Sequence, residues 1–129
     1  MVTWDVRLAD AQRAREKAFA PEDLGRMFIE RANAGDVDGL VALYEPGAVL
    51  AFPPGKITTG RQAIREVYAD LLAKRPTFVT EGQRPALVNG ETALTSTRLP
   101  GGQATAEVAH RQPDGSWLWA IDQPRILGS

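Results

Sequence analysis

The most constraining feature of this sequence is a change of hydrophobic periodicity near Thr77. Before that point apolar residues recur at helical spacing, as in Ile64, Val67, Tyr68 and Leu71. After it, short segments of strand-forming residues are separated by turn-forming pairs. A chain with helices first and an antiparallel meander afterwards is expected to fold as an α+β domain, with the helices covering one face of the sheet.

Two helices are predicted before the first strand. One covers residues 21–33, where Pro21 suits the first turn because its missing N–H would have no helical partner there. The next begins after the N-cap residue Asp36 and is predicted to carry Tyr44 on its apolar face. Both helices need a surface against which to bury those faces.

A strand over residues 48–52 is predicted to lead to the third helix, which Thr59 caps and Arg75 ends, because Pro76 follows. Residues 1–20 are rich in charged side chains and are predicted to form an N-terminal helical extension. The domain itself is expected to span residues 21–127.

Further strands are predicted over residues 77–81, 92–99, 104–112 and 116–122. Asn89-Gly90 and Asp114-Gly115 are strong signals for two-residue hairpin turns between such strands. Counting outward from Asp114-Gly115 pairs His110 with Trp119 and Glu107 with Asp122.

Alternation along the last two strands then assigns their side chains to two faces. One face is predicted to hold two acids among small or apolar residues: Glu107, Ala109, Leu118, Ala120 and Asp122. The other is predicted to hold Val108, His110, Trp117, Trp119 and Ile121, which is too apolar to face water and is expected to be core or a subunit interface. His110 is therefore expected to have a packing or interface role.

Composition excludes several classes of function. The 129 residues suffice for one domain, and a net charge of −1 provides no field to attract nucleic acid. With no Cys and a single His, neither a thiolate site nor a multi-His metal site is expected, and no cofactor is expected. No apolar run is long enough for a membrane span or resembles a signal peptide, so a cytoplasmic protein with no membrane partner is expected.

Three segments carry a family resemblance. Residues 33–44, with the sequence NAGDVDGLVALY, resemble the ketosteroid isomerase and SnoaL-like polyketide cyclase families, as do residues 60–68 and 114–124. The resemblance covers roughly residues 21–124. It implies a nuclear transport factor 2-like (NTF2-like) cone, in which three N-terminal helices pack on a curved antiparallel meander sheet that encloses a pocket. It also implies a homodimer through the outer sheet face.

The catalytic residues of ketosteroid isomerase do not carry over. That enzyme uses an Asp base, with a Tyr and a protonated Asp as oxyanion donors. An ungapped alignment from Asp36 places Phe28 at the Tyr position and Phe52 at the base position, while the second Asp falls near Glu107. The resemblance therefore does not imply proton transfer by that mechanism, and the two Phe residues make the implied pocket more apolar.

Glu107 and Asp122 are the strongest candidates for chemistry. Paired carboxylates on a pocket wall, one with a raised pKa, could act as acid and base. Alternatively they are ordinary ion pairs near the pocket mouth, for which Arg98 or Arg111 is close enough in the meander.

Two functions remain open from the sequence. The first is a cofactor-free isomerase, cyclase or lyase that acts on a small hydrophobic carbonyl compound, with Glu107 and Asp122 handling protons and Arg98 contacting an anion or carbonyl. The walls of its binding pocket would be Phe28, Phe52, Tyr68, Leu118 and Ala120. The second is a non-catalytic dimeric ligand-binding or accessory protein, which the Phe replacements favour.

Overall fold

Three helices lie against one six-stranded mixed sheet in the computed structural model, which describes residues 16–79 and 82–126. The helices are α1 (Pro21–Asn33), α2 (Val37–Val41) and α3 (Arg61–Ala73). The strands are β1 (Tyr44–Leu50), β2 (Thr58–Thr59), β3 (Leu87–Asn89), β4 (Thr92–Arg98), β5 (Ala104–Arg111) and β6 (Trp117–Gln123). This is the predicted α+β cone.

The strand order is β2-β1-β6-β5-β4-β3. Strands β3 to β6 form the predicted antiparallel meander, whereas β1 pairs with β6 in parallel. The sheet as a whole is therefore mixed, because one parallel pair extends the predicted meander. The parallel pair arises because α3 lies between β1 and the meander in the chain, and a helical crossover allows two strands to run in the same direction.

Helix α1 has the predicted bounds. Pro21 occupies its first turn, and Glu22 and Asp23 follow. Acidic side chains at this end stabilise the helix because they interact favourably with the positive end of its dipole. Near its other end the buried Arg31 guanidinium donates hydrogen bonds of 2.6 Å to the carbonyl oxygens of Gly39 and Glu16. Arg31 thereby ties α1 to α2 and to the segment that precedes α1.

Helix α2 is shorter than predicted, and Tyr44 does not lie on it. Asp36 caps α2 as expected, because its Oδ1 accepts a hydrogen bond from the Gly39 N–H at 2.9 Å. The helix ends at Val41, however, and Tyr44 is the first residue of β1. Pairing with β6 outweighs the local helical period here, since the Trp119 N–H donates to the Leu43 carbonyl at 2.8 Å.

The β5–β6 hairpin differs from the predicted register near its turn. His110 pairs with Leu118 and Ala109 with Trp119, one residue away from the prediction. Beyond an irregularity at Ala120 the register returns to the predicted one, so Glu107 does pair with Asp122. The loop is longer than two residues, and Ala120 is the extra residue that compensates for it.

Because of this register shift, the outer face predicted for Trp117 and Trp119 was wrong. Trp117 and Trp119 are buried in the core on the face of Ala109 and Glu107, not on the outer face with His110. Leu118 moves to the outer face, directly opposite His110. The outer position predicted for His110 itself agrees with its half-exposed side chain, which contacts Glu45 Oε1 through Nδ1 at 3.1 Å.

Smaller differences concern boundaries. The cap of α3 is Gly60 rather than Thr59, and the β3–β4 hairpin turns at Gly90-Glu91 rather than at Asn89-Gly90, since Asn89 pairs with Thr92. Residues 77–79 form no strand, and residues 80–81 lie outside the described part of the chain.

Most of the predicted N-terminal extension, residues 1–15, also lies outside the described part of the chain. Its described part, residues 16–20, does not form the predicted helix, because Ala18 forms a β-bridge to Trp117 instead. Among the described residues, no helix combines the length and apolarity that crossing a bilayer would require.

Candidate functional site

The two predicted acids lie in one row across the inner face of the sheet. Thr95 on β4 pairs with Glu107 on β5, which pairs with Asp122 on β6, and all three side chains are buried. Thr95 Oγ1 donates a hydrogen bond to Glu107 Oε1 at 2.6 Å and accepts one from Trp119 Nε1 at 3.1 Å. Thr95 and the indole therefore fix one carboxylate oxygen of Glu107.

Asp122 ends a chain of three hydrogen-bonded side chains. The Tyr44 hydroxyl donates to Asp122 Oδ2 at 2.5 Å, and the hydroxyls of Tyr44 and Tyr68 are 3.0 Å apart. When Asp122 is ionised, Tyr44 uses its only hydrogen on that carboxylate, so Tyr68 must be the donor in the second bond. Both hydroxyls then point their protons towards the carboxylate.

Burial shifts the pKa of every ionisable group in this cluster. Burial, and then the nearby Glu107 carboxylate, raise the pKa of Asp122 to about 7, although the hydrogen bond from Tyr44 opposes the shift. Burial also raises the pKa of Glu107, although the hydrogen bond from Thr95 opposes the shift. Burial first and Asp122 next raise the pKa values of Tyr44 and Tyr68, so both stay protonated at neutral pH.

An aromatic layer surrounds the Tyr68 end of the chain. The Phe28 ring lies edge-on to Tyr68 with centroids 5.8 Å apart, and to Phe78 at 5.7 Å. On another side Phe52 stacks on Tyr68 at 6.5 Å and 12°. Phe28, Phe52 and Phe78 are only partly buried, whereas Tyr68 is buried, so this group of rings is in partial contact with solvent.

Three residues predicted to line the site lie elsewhere. Arg98 is exposed at the end of β4, on the face opposite Thr95, and makes no ion pair with either acid among the described residues. Leu118 lies on the outer face. Ala120 is the half-buried bulge residue of β6. The predicted residues that the structure does bring together are Phe28, Phe52, Tyr68, Glu107 and Asp122.

The described residues form two cavities that the acids do not line. One, of about 370 Å³, lies between the loop after β1 and the segment after β6, and Phe52 lines it. The other, of about 500 Å³, lies beside the β5–β6 loop, and Leu118 lines it. Glu107 and Asp122 lie in the packed interior next to the aromatic layer.

Sequence patterns did not indicate that Tyr44 and Thr95 belong to this cluster. Tyr44 was assigned to a helix, and Thr95 has no sequence signature beyond its place in a strand. The register could have identified Thr95, because it lies opposite Glu107 in the β4–β5 pair.

As for metals, the described residues contain no group of three or more His, Asp or Glu side chains arranged to bind an ion.

Solved structures with this fold include several NTF2-like proteins. A ketosteroid isomerase-like protein from Erwinia carotovora atroseptica is 18% identical over 78% of this chain and 88% of its own, with a TM-score of 0.57. An NTF2-like protein with a cystatin-like fold from Novosphingobium aromaticivorans is 19% identical over 100% and 92%, with a TM-score of 0.59. An NTF2-like protein of unknown function from Pseudomonas putida is 15% identical over 78% and 79%, with a TM-score of 0.62. At these identities the likeness concerns the fold alone.

The family is shown by a sequence model. The model of the SnoaL-like domain matches residues 26–127, which include every helix and strand except the first turn of α1. This chain belongs to the SnoaL-like domain family.

Proposed function

We propose that this protein binds a small hydrophobic carbonyl compound beside Tyr68 and moves a proton on it, as a cofactor-independent isomerase, cyclase or lyase. The observation that carries this proposal is the hydrogen-bonded chain Tyr68–Tyr44–Asp122, which ends on a carboxyl whose pKa is about 7. General acid–base catalysis is most efficient when the pKa lies near the working pH.

The hydrogen-bonded chain Tyr68–Tyr44–Asp122 can transfer a proton while the two Tyr rings stay in place. When a substrate C–H proton reaches the Tyr68 oxygen, the Tyr68 proton passes to Tyr44 and the Tyr44 proton passes to Asp122. The electron pair of the C–H bond stays on the substrate, and Asp122 ends protonated. The reverse sequence delivers a proton, so the same three groups act as base and then as acid.

The aromatic layer supports an apolar substrate. Phe28 and Phe52 flank Tyr68 and are partly buried, so a ligand that displaces or inserts between them removes further apolar surface from water. Glu107 supports the chemistry indirectly, because its proximity is one of the causes of the raised Asp122 pKa.

The test uses a general substrate for proton abstraction, which detects a catalytic base in an apolar site and does not require the natural substrate to be known. A base removes a proton from 5-nitrobenzisoxazole, the N–O bond breaks, and a coloured nitrophenolate forms. We expect the rate to rise with pH through an apparent pKa near 7. Asp122→Asn and Tyr44→Phe should each lower it at least about 100-fold, as expected for loss of a general base.

Asp70→Asn is the matched control, because Asp70 is an exposed carboxylate on α3. It should leave the rate unchanged. Equal rates in the wild type, Asp122→Asn and Tyr44→Phe would contradict the catalytic proposal.

The second candidate function is ligand binding without catalysis. It is favoured by Phe28 and Phe52 at the two positions where ketosteroid isomerase has its Tyr and its base, and by the packing of both rings on Tyr68. The two functions separate in one experiment: a pure binder retains an apolar dye such as N-phenyl-1-naphthylamine yet shows no rate that depends on Asp122.

We also propose that the protein forms a homodimer through its outer sheet face. Register partners place five apolar residues in one row across that face: Leu87, Leu94, Val108, Ile121 and Val49. Leu87 is 68% exposed, Leu94 43% and Ile121 50%. A contiguous apolar row of this kind is typical of an interaction surface.

A further inference from the structure

The cavity beside Phe52 has a charge unlike that of the whole molecule. The described residues that line it include Lys56 and Arg125 and no carboxylate, whereas the chain carries a net charge of −1. The larger cavity, by contrast, is lined by Glu16 and Asp114 as well as by cations. At about 370 Å³ the cationic cavity lies within the range of small-ligand pockets.

Both cationic side chains are available to a ligand. Lys56 and Arg125 are exposed, and neither forms a salt bridge with any of the described residues. A bound anion would therefore gain two cationic partners without breaking an existing ion pair.

Hydrogen bonds hold both walls of this cavity in place. In the loop after β1, the Lys56 N–H donates to the Pro53 carbonyl at 2.9 Å and the Thr58 hydroxyl donates to the Phe52 carbonyl at 2.6 Å. After β6, the Ile126 N–H donates to the Ala104 carbonyl at 3.1 Å. Walls that are already ordered reduce the entropic cost of binding.

One ring separates the cavity from the hydrogen-bonded chain. Phe52 lines the cavity and stacks on Tyr68. The adjacent residue Ala51, also in the lining, donates its N–H to the Asp122 carbonyl at 2.9 Å. A ligand whose polar end occupies the cavity would therefore place its apolar part against Phe52, the ring that stacks on Tyr68.

We propose that this cavity binds the anionic end of an amphipathic small molecule, in which a carboxylate, sulfate or phosphate group is attached to an apolar ring or chain. Lys56 and Arg125 are the counter-ions of the anionic group, and Phe52, Ile57 and Ile126 contact the apolar part. The proposal names a substrate class for the proposed function, and it rests on that function for the role of the bound molecule.

Two dyes that differ by one anionic group test this proposal. They are 1-anilinonaphthalene-8-sulfonate and N-phenyl-1-naphthylamine, which has the same aromatic skeleton without the sulfonate. Titration of the full chain with each dye, followed by fluorescence, should give tighter binding of the sulfonate. Only the binding of the sulfonate should weaken as salt is added, because salt screens exposed charges.

The double variant Lys56→Gln, Arg125→Gln should raise the dissociation constant of the sulfonate about three- to tenfold, the size expected for two exposed charges. It should leave the uncharged dye unaffected. The matched control is Lys74→Gln, Arg84→Gln, which removes one Lys and one Arg that are exposed and lie outside the cavity lining. All four replaced side chains are exposed, and unchanged circular dichroism checks that the variants fold.

Three results would overturn the proposal. The two dyes could bind equally well, the cavity variant could bind the sulfonate as tightly as the control does, or neither dye could bind. A fourth result would also overturn it. If the double variant loses binding to phosphatidylglycerol vesicles but binds both dyes as the wild type does, Lys56 and Arg125 contact a lipid surface and not a ligand in the cavity. The nitrobenzisoxazole assay reports on Asp122 independently, so failure of one proposal is distinguishable from failure of the other.

Discussion

Asp122 is a carboxyl group that the native fold holds in its uncharged form up to about neutral pH. Its native pKa is about 7, against 3.8 as the ordinary value. Between these two values the unfolded chain has released the proton and the native protein keeps it. The free energy of unfolding therefore falls as pH rises from about 4 to about 7, and the loss is complete above the native pKa.

We expect this effect to cost about 4 kcal/mol across that range, since the pKa rises by about three units and one unit corresponds to about 1.4 kcal/mol. Urea denaturation at several pH values, for the wild type and for Asp122→Asn, measures it. The Asn side chain can still accept the hydrogen bond from Tyr44 but cannot titrate, so the variant should lose less stability with pH. Parallel pH profiles for the two proteins would show that the pKa of Asp122 is not raised.

Gly82 is required by a close approach of two backbone segments. Its φ is +89°, and a Cβ at this position would lie 1.9 Å from the carbonyl oxygen of Arg98. Gly101 has a similar φ of +86° with no atom within 4 Å of such a Cβ. Gly101→Ala should therefore cost only the backbone strain, about 1–2 kcal/mol.

Gly82→Ala should cost at least about 2 kcal/mol more than Gly101→Ala, because the Arg98 N–H to Gly82 carbonyl bond cannot form with the carbonyl of Arg98 displaced. Chemical denaturation of both variants gives the difference. Equal losses would mean that the chain around Gly82 shifts without penalty.

The candidate acids could be found from the sequence, but their hydrogen-bonding partners could not. Glu107 and Asp122 stand out because carboxylates are unusual on an apolar strand face, and pairing follows from counting. Tyr44 was misplaced because its spacing from Val37 and Leu40 matches a helix. Only the pairing of β1 with β6, a contact between distant parts of the chain, determines that it lies on a strand.

Among the elements, the β5–β6 hairpin shows that the right pairing of two strands can be predicted from the wrong turn length. A two-residue turn predicts Glu107 opposite Asp122. The loop is in fact longer, which shifts the register near Trp117 by one residue, and the bulge at Ala120 shifts it back. Neither deviation has a sequence signal, so the inward position of Trp117 and Trp119 could not be derived, whereas α1 and the hairpins themselves could.

Deletion of Ala120 tests this description of β6. Without the bulge residue, Trp119 and Asp122 are separated by Ile121 alone, so both still face inward and every β5–β6 pair is retained. We expect the deletion to cost about 1–2 kcal/mol for the lost local twist and to keep cooperative unfolding. The measurement is thermal or urea unfolding followed by Trp fluorescence.

Deletion of Leu118 is the matched control. It leaves Trp117 and Trp119 adjacent, so a regular strand must turn one of the two buried rings outward. That loss should exceed about 4 kcal/mol or abolish folding. If both deletions cost the same, the bulge is not located at Ala120.

At the level of the whole molecule, the two faces of the sheet have different partners. The inner face packs on the three helices, which bury the acids, the Tyr pair and both Trp residues. The outer face of β3 to β6 has no helix over it among the described residues, and it carries the apolar row from Leu87 to Ile121, which Val49 on β1 continues. If the protein stayed monomeric, this row would be permanently in contact with water.

Leu94→Lys together with Ile121→Lys places two charges in the centre of that row. We expect the double variant to be a monomer in sedimentation velocity where the wild type is a dimer, because each buried and unpaired ammonium group costs several kcal/mol. The fold should survive, since both side chains are half-exposed in the single chain at 43% and 50%.

Val79→Lys provides the comparison, because Val79 is 45% exposed but does not belong to the outer row. It should leave the dimer intact. A wild-type chain that sediments as a monomer at high concentration would rule out the dimer. If it does so while the nitrobenzisoxazole rate still depends on Asp122, the interior cluster functions within a single chain and the outer row serves another partner.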